Sequence, residues 1–377
     1  MSTLKIKTIT CHNVYNYGAS LQEYALLQYL KSLGYQAETI NYNPDYLSNH
    51  FNFLAVSNSR FDSNFLFRSI YLLLKLPGRL LSLRRKYNFD KFSDKYISST
   101  KKSFTSNQAL KDNIPEADVY ICGSDQIWNS FFQNGKDPAF YLDFVPDDKL
   151  KISYAASFAI ETIEDNIKSF VSEKVKRLDF VSVRESSGVE ILKDLGFTSI
   201  KHVLDPVFLL DRKSWEEIAS QEKVEKPYIL VYDMDSNPSI KDFVLKMATK
   251  NNWEIITISN RISYADKNLS NKGPDVFLSL IKNASFVVSN SFHAVAYSLI
   301  FEKKFVVFNR AEQINTRMND IVNMLNIKET ILPYNTTQDE YEYIIDYDKV
   351  RPILKNHIKK SKQFLIDSIR KKQTNER

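Results

Sequence analysis

The sequence contains few cysteines, few glycines and no long uncharged apolar run. Two cysteines in 377 residues, Cys11 and Cys122, are too few for a disulfide framework or a cysteine-based zinc site, and they fit a reducing compartment. The longest stretch without an acidic or basic residue, 283–301, holds four serines, two asparagines and a histidine, so it is too polar to span a membrane. The N-terminus lacks the apolar run of a signal peptide, and we therefore expect a cytoplasmic protein.

Composition and length indicate a globular protein of about two domains. Apolar residues make up 43% of the chain and charged residues 25%, and ~150 residues per domain is the usual prior. The net charge is +6, and segment 65–92 alone holds seven lysines and arginines against one aspartate. This local excess argues against a nucleic-acid-binding surface and for one basic, apolar segment.

Segment 65–92 allows two interpretations. It could form a pair of amphipathic helices on an anionic membrane surface, which would place the protein on the inner face of the membrane. The alternative, which we favour, is a helical insertion that packs on its own domain with solvated arginines.

Short apolar runs alternate with segments of helical period along most of the chain. The predicted strands are 5–11, 36–42, 117–123, 151–157, 180–184, 200–206, 228–234, 253–259, 285–291 and 303–309. The predicted helices are 21–34, 185–196, 238–251, 274–284, 292–302 and 340–371. This alternation predicts an α/β protein with two Rossmann-like domains that face each other across a cleft.

A charged, proline-containing stretch near residue 220 separates two runs of this pattern. We therefore predict an N-terminal domain over 1–222, with a helical insertion at about 45–115, and a C-terminal domain over 223–340. A basic helix over 341–377 follows and is predicted to pack back on the N-terminal domain.

Ligands of open α/β sheets bind beyond the carboxyl ends of the strands, which directs attention to the polar residues there. The most informative group is Ser289, Asn290, Ser291, Phe292 and His293, where a strand leads into a helix. A helix N-terminus binds phosphate, and a histidine in its first turn adds a hydrogen-bond donor or a proton. The alternative is an ordinary serine or asparagine cap with the histidine packed in the core.

Two further loops contain side chains that could bind a ligand. Arg184 ends a strand and could hold a carboxylate or phosphate through two hydrogen bonds, or pair with a neighbouring acid. Ser124, Asp125, Gln126 and Trp128 follow another strand and resemble a sugar-binding surface, where an indole stacks on the ring and polar groups bind hydroxyls. The alternative is a turn with the tryptophan buried.

The remaining candidates are weaker. Asn16 and Gly18 open the first helix, and Gly18 would let the backbone approach a ligand closely. Asp205, before a proline, favours a turn over a catalytic acid, and His12 favours packing over a place in the cleft. No dinucleotide, P-loop, zinc-protease or serine-hydrolase motif is present, and we expect no metal or cofactor.

Six segments in this order together resemble the polysaccharide pyruvyl transferases. They are NVYNYGASLQEYALLQYLKSLGY, DVYICGSDQIWN, ISYAASF, VSVRESSGVEILKDLGF, LDPVFLL and FLSLIKNASFVVSNSFHAVAYSLIFEKKFVVF. The resemblance covers about residues 8–309. Ala294 follows the histidine where the family commonly has glycine.

The resemblance implies a GT-B-like fold, phosphoenolpyruvate as donor substrate and a pair of sugar hydroxyls as acceptor, joined as a pyruvate ketal. It implies that Arg184 and His293 bind the donor, whose phosphate would lie on the C-terminal side. The acceptor, a polysaccharide or lipid-linked oligosaccharide, would lie on the N-terminal side. Our hypothesis is that Asp125 acts as base there, because ketal formation needs proton transfer near neutral pH.

Two other functions remain open at this stage. A GT-B glycosyltransferase that uses a nucleotide sugar would have a similar fold, although no acidic pair for the ribose stands out. A non-catalytic carbohydrate-binding protein would keep sugar affinity without releasing phosphate.

Overall fold

Two parallel six-stranded sheets, one in each half of the chain, organise this computed structural model. It describes residues 3–48, 56, 64–221, 224–259, 261–311, 315–336 and 343–375. The first sheet has the order β2-β1-β3-β4-β5-β6. Its strands are β1 (Lys5–Ile9), β2 (Gln36–Thr39), β3 (Val119–Cys122), β4 (Leu150–Ala156), β5 (Phe180–Val183) and β6 (Ile200–His202).

The second sheet repeats the arrangement with the order β12-β11-β10-β7-β8-β9. Its strands are β7 (Tyr228–Tyr232), β8 (Glu254–Thr257), β9 (Lys267–Asn268), β10 (Phe286–Ser289), β11 (Phe305–Phe308) and β12 (Ile331–Leu332). β7 and β10 are buried at every position, as expected of strands covered on both faces by crossover helices.

Helices connect the strands in both halves. The α-helices are α1 (Tyr17–Ser32), α2 (Asp45–Ser48), α3 (Phe65–Tyr96), α4 (Asn107–Asp112), α5 (Asp165–Val175), α6 (Ser186–Asp194), α7 (Arg212–Ile218), α8 (Pro238–Asn251), α9 (Pro274–Asn283), α10 (Phe292–Ile300), α11 (Thr316–Met324) and α12 (Tyr347–Asn375). A 3₁₀ turn, Pro206–Leu209, follows β6.

The predicted fold class, α/β with two parallel sheets, is confirmed. Each of the ten predicted strands is present, usually two to four residues shorter. β9 and β12 were not predicted, because two residues at a sheet edge carry no periodic signal. The predicted domain boundaries at 222/223 and 340/341 lie outside the described residues and stay predictions.

The two halves meet around Tyr17, in the first turn of α1. Its ring stacks on Phe277 of α9, with centroids 4.8 Å apart, and its hydroxyl donates to the Lys272 carbonyl at 2.9 Å. The Arg85 guanidinium lies over the same ring, with its central carbon 4.6 Å from the centroid. Because Tyr17 is fully buried, this contact holds the start of α1 against the second half.

Segment 65–92 is a single helix, so the predicted helix pair is wrong. α3 runs for 32 residues and continues through Pro77. Its C-terminal part packs on the protein through Phe89 and Phe92, which are buried, whereas its N-terminal part is largely exposed. Among the described residues, no helix combines the length and apolar character needed to cross a bilayer.

The C-terminal helix α12 lies against the first sheet. The Ser361 hydroxyl accepts a hydrogen bond from the Leu204 amide at 2.9 Å, and the Phe364 ring lies 6.4 Å from the ring of Tyr154 on β4. The chain therefore returns to its first half after completing the second sheet.

Candidate functional site

The topological switch points of the two sheets face the same small cleft. In each sheet the strand order reverses direction once, between β1 and β3 in the first and between β7 and β10 in the second. Loops diverge at such points and leave a crevice at the carboxyl ends of the strands, where ligands bind. The loops after all four strands line one cavity of about 100 Å³.

The cavity lining combines cations, one carboxylate and amides. It consists of Asn16, Asp125, Gln126, Met234, Asn290, Ser291, Phe292, His293, Arg310, Arg317 and Met318. A cavity needs roughly 10–15 Å³ to hold one water, so this volume admits a ligand of several heavy atoms. A larger cavity of about 820 Å³ lies at the amino ends of β1 and β2, the edge that ligands of such sheets do not use.

One buried carboxylate, Asp205, joins the two residues that carried the sequence argument. Its Oδ2 lies 2.5 Å from Nη1 of Arg184 and 3.7 Å from Nε2 of His293. Its Oδ1 accepts the Val207 amide at 3.0 Å and caps the 3₁₀ turn. The turn predicted at Asp205 is therefore present, while its contacts with Arg184 and His293 were missed.

Electrostatics keep this centre charged. Burial by itself raises the pKa of Asp205, but the neighbouring His293 imidazole and the Arg184 guanidinium outweigh it and hold that pKa well below its usual range. Burial by itself lowers the pKa of Arg184, and the carboxylates of Asp205, Asp125 and Glu185 raise it above its ordinary value. The pair is therefore ionised at neutral pH.

Helix α1 positions the His293 ring by direct contact. A Cβ atom at Gly18 would lie 1.9 Å from Nδ1 of His293, so the ring packs on the bare backbone of the helix. The glycine thus permits a close approach, as expected, but the approaching group is an imidazole. Asn16 caps the same helix, with its Oδ1 accepting the amides of Gly18 and Ala19.

Several donors around the centre are not used inside the protein. Nε and Nη2 of Arg184, Nε2 of His293 and Nε of Arg317 are buried atoms without a hydrogen-bond partner among the described residues. Ser291, at the N-cap of α10, makes no side-chain cap hydrogen bond, and the first amides of a helix have no intrahelical partner. Of these residues, His293 and Arg317 line the cavity together with the N-terminus of α10, a combination that suits an anion.

Arg317 and Arg310 are cationic residues that the sequence reasoning missed. The guanidinium carbons of Arg184 and Arg317 lie 5.0 and 5.9 Å from the centroid of the Phe292 ring. Burial and the like charge of Arg184 lower the pKa of Arg317 to about 10, so it remains cationic at neutral pH. Arg310 follows β11 and could have been found by the strand-end rule, whereas Arg317 lies inside a helix and carries no such signal.

Arg184 does not face the cavity directly. Its side chain is 1% exposed and lies behind the lining, with Nη2 3.8 Å from Asp125 Oδ1. Asp205, Asp125 and Glu185 hold the guanidinium beside them in the first half, and the predicted contact of Arg184 with the donor stays a prediction.

Trp128 is not a sugar-stacking surface. The indole is fully buried, stacks on Tyr141 with centroids 5.2 Å apart and donates to the Phe140 carbonyl at 3.0 Å. Ser124 is also buried, and its hydroxyl donates to the Ala155 carbonyl at 2.8 Å. Of this predicted group, only Asp125 and Gln126 line the cavity.

The polar residues after β10 differ in what they do. The Ser289 hydroxyl donates to the Tyr232 carbonyl at 2.7 Å and ties β10 to β7. The Asn290 amide is engaged by the loop after β7, accepting from the Met234 amide and donating to Asp233. These two residues shape the cavity, while Ser291 and His293 present groups to it.

Two further observations concern His12 and the grouping of metal-binding side chains. His12 is buried and its Nδ1 lies 2.8 Å from Glu23 Oε1, so it packs away from the cavity as favoured. In the part of the chain that the structure describes, no three metal-binding side chains cluster.

Comparison with protein families identifies the chain. The family model described as polysaccharide pyruvyl transferase matches residues 16–312, which include the whole cavity lining up to Arg310. The chain belongs to the polysaccharide pyruvyl transferase family. That family is one of transferases, so this member is classed as a transferase enzyme.

Solved structures show likeness at low identity. A glycosyltransferase from Rickettsia africae is 10% identical, with 98% of this chain and 94% of that chain covered and a TM-score of 0.47. UDP-GlcNAc 2-epimerase from Neisseria meningitidis is 10% identical, with 98% and 100% covered and a TM-score of 0.48. Neither likeness bears on what this family member binds. No curated protein matches the chain.

The contact between Gly18 and His293 can be tested by adding one methyl group. We expect Gly18→Ala to lower the free energy of unfolding by about 1–3 kcal/mol, because the methyl group displaces a packed imidazole. In a His293→Ala background the same change should cost less than about 0.5 kcal/mol. Urea unfolding of the four variants measures this. Gly78→Ala, at an open helical position, is the control and should be neutral or stabilising. An equal loss in free energy of unfolding in the wild-type and His293→Ala backgrounds would contradict the contact.

The buried pair predicts a dependence of stability on pH. We expect Asp205→Asn to lower the free energy of unfolding by about 3–5 kcal/mol at pH 7, because Arg184 loses its partner. The folded-state pKa of Asp205 is depressed. The contribution of this carboxylate to stability is therefore complete above its unfolded-state pKa near 4, and it is lost as the pH falls from there through the folded-state pKa. Urea unfolding at pH 7, 5, 4 and 3 measures the difference in free energy of unfolding between Asp205→Asn and wild type. This difference should shrink only at the acidic end of the series. The control Asp94→Asn, at an exposed position, should unfold with the same free energy as wild type. A stability difference for Asp205→Asn that stays constant down to pH 3 would refute the pairing.

Proposed function

We propose that the cleft binds phosphoenolpyruvate and transfers its pyruvyl group to a pair of sugar hydroxyls as a ketal. The observation that carries the proposal is the convergence of His293, Arg310, Arg317 and the N-terminus of α10 on one small cavity at two switch points. Phosphoenolpyruvate is a compact anion with a phosphate and a carboxylate, and both groups need donors and positive charge. Family membership supports the same donor.

The proposed donor contacts follow from the position of each cation. Arg317 and the first amides of α10 suit the phosphate, because a helix N-terminus and a guanidinium both favour that group. Arg310 lines the cavity and lies 3.9 Å from Asp235 through its Nε, an arrangement that holds the side chain in place. It suits the donor carboxylate.

The reaction needs two proton transfers for each turnover. The methylene carbon of phosphoenolpyruvate gains a proton and becomes a methyl group, and one sugar hydroxyl attacks the adjacent carbon. The second hydroxyl displaces phosphate and closes the ketal, so the two hydroxyl protons end on the methyl group and on phosphate. His293 lines the cavity, its Nε2 has no hydrogen-bond partner among the described residues, and it is the proposed acid or phosphate contact.

Arg184 acts in this proposal from behind the cavity. It neutralises Asp205, which in turn lies against Nε2 of His293, and it shares the Phe292 ring with Arg317. Its role is therefore to orient the imidazole and to raise the positive potential of the cleft, rather than to contact the donor. Such support matters because preorganised charge stabilises the transition state without reorganisation.

The acceptor would enter on the side of Asp125 and Asn16. Asp125 keeps a side chain that is 16% exposed at the cavity and is the proposed base toward a sugar hydroxyl. A second cavity of about 320 Å³ shares Asn16 and Met234 with the first and offers room for a sugar. A polysaccharide or a lipid-linked oligosaccharide could present its hydroxyl pair there.

Ligand-dependent thermal stability separates this proposal from its rivals. We expect phosphoenolpyruvate to raise the melting temperature and UDP to leave it unchanged, because a ligand stabilises only the state that binds it. Phosphate release with a panel of glycans and lipid-linked oligosaccharides, scored by mass, then identifies the acceptor. A shift with UDP alone would support a nucleotide-sugar glycosyltransferase, and glycan binding without phosphate release would support a non-catalytic protein.

Removal of one guanidinium tests the donor site. We expect Arg317→Gln to weaken phosphoenolpyruvate binding by roughly 10–100-fold, because a charge-assisted hydrogen bond to a phosphate contributes about 1.5–3 kcal/mol. Arg212→Gln, the same change at an exposed ion pair on α7, is the matched control and should bind normally. Isothermal titration measures both, and an unchanged dissociation constant in Arg317→Gln would remove that residue from the site.

A further inference from the structure

The first half of α3 exposes an apolar surface that a water-facing helix ordinarily lacks. From Phe65 to Leu83 nine large apolar side chains are exposed, and Phe65, Leu74 and Leu73 reach 85%, 77% and 68%. The others are Leu66, Phe67, Ile70, Leu76, Leu80 and Leu83. A contiguous apolar patch of this kind marks an interaction surface.

Four of the six basic side chains between positions 65 and 89 lie opposite an apolar stripe, whereas Arg84 falls within the arc of the stripe. At about 100° per residue, four exposed apolar residues fall within an arc of roughly 80°. They are Leu66, Ile70, Leu73 and Leu80. On the opposite side, four basic residues fall within an arc of roughly 40°. They are Arg68, Lys75, Arg79 and Lys86.

We propose that the first half of α3, residues 65–83, lies in the interface of an anionic lipid bilayer. An apolar stripe backed by lysines and arginines is the pattern of helices that lie flat on such a surface. Six basic residues and no acidic residue occur between positions 65 and 89, so the segment complements a negatively charged surface. The apolar stripe points outward, and contact with lipid would cover it.

The same helix leads from this surface to the cleft. Near its middle, the Arg85 guanidinium donates to the Tyr17 hydroxyl and the Tyr15 carbonyl, both at 3.0 Å. Arg85 also lines the second cavity, which shares Asn16 with the candidate site. If the proposed function holds, the acceptor is therefore a lipid-linked oligosaccharide presented at the membrane rather than a glycan free in solution.

Vesicle co-sedimentation with the full chain tests the surface. We expect wild type to sediment with vesicles of phosphatidylcholine containing phosphatidylserine, and to release as salt concentration rises. The triple variant Leu66→Gln, Ile70→Gln and Leu73→Gln should bind at least roughly ten-fold more weakly, because its apolar stripe is gone. A control triple, Ile114→Gln, Leu245→Gln and Ile344→Gln, removes three exposed apolar side chains elsewhere and should bind as wild type does.

The remaining outcomes overturn the proposal. Wild type that stays in the supernatant with anionic vesicles refutes it. If wild type does not bind vesicles but forms a dimer, and the first triple variant is a monomer, the apolar face is a contact between two copies of the chain. Vesicle binding is measured without phosphoenolpyruvate. A loss of vesicle binding therefore contradicts the membrane contact alone, whereas a failure of phosphate release with soluble glycans bears on the proposed function. Equal turnover of soluble and vesicle-borne acceptors would refute the inference about the acceptor while leaving the membrane contact intact.

Discussion

The arrangement of this protein's cleft depends on one buried carboxylate. Asp205 is contributed by the loop after β6 and reaches both Arg184, after β5, and His293, in the first turn of α10. The first two belong to one half of the chain and the third to the other half. Because a buried charge is costly unless it is paired, the carboxylate requires both neighbours to stay close. The contact thus fixes the imidazole relative to the first sheet.

Around this centre, positive charge exceeds negative charge on the side that faces the cavity. Asp205 and Glu185 are buried with Arg184, whereas Arg310, Arg317 and His293 lie at the lining. The depressed pKa of Arg317 reflects burial beside another guanidinium. The anionic ligand that we propose would relieve that repulsion and bind donors that have no partner among the described residues. The architecture therefore favours binding a small anion over binding a neutral one.

Prediction from the sequence succeeded where local pattern decides structure and failed where packing does. Apolar runs located ten of the twelve strands that the described residues contain, and three of the loops that the strand-end rule selected meet at one cavity. The rule could not distinguish a side chain that faces the cavity from one buried behind it. Trp128 and Arg184 both follow buried strands, yet the indole packs on Tyr141 and the guanidinium is held by acids.

By itself, the sequence determined the alternation of strands and helices, the parallel sheets and the family resemblance, because these rest on periodicity and on residues adjacent in the chain. Only the tertiary structure decided which polar groups share a space. Arg184 and His293 are more than a hundred residues apart, and Arg317 has no local signal at all. Their meeting depends on how two sheets pack around Tyr17 and Asp205, and contacts between distant segments follow from the fold rather than from any neighbouring residue.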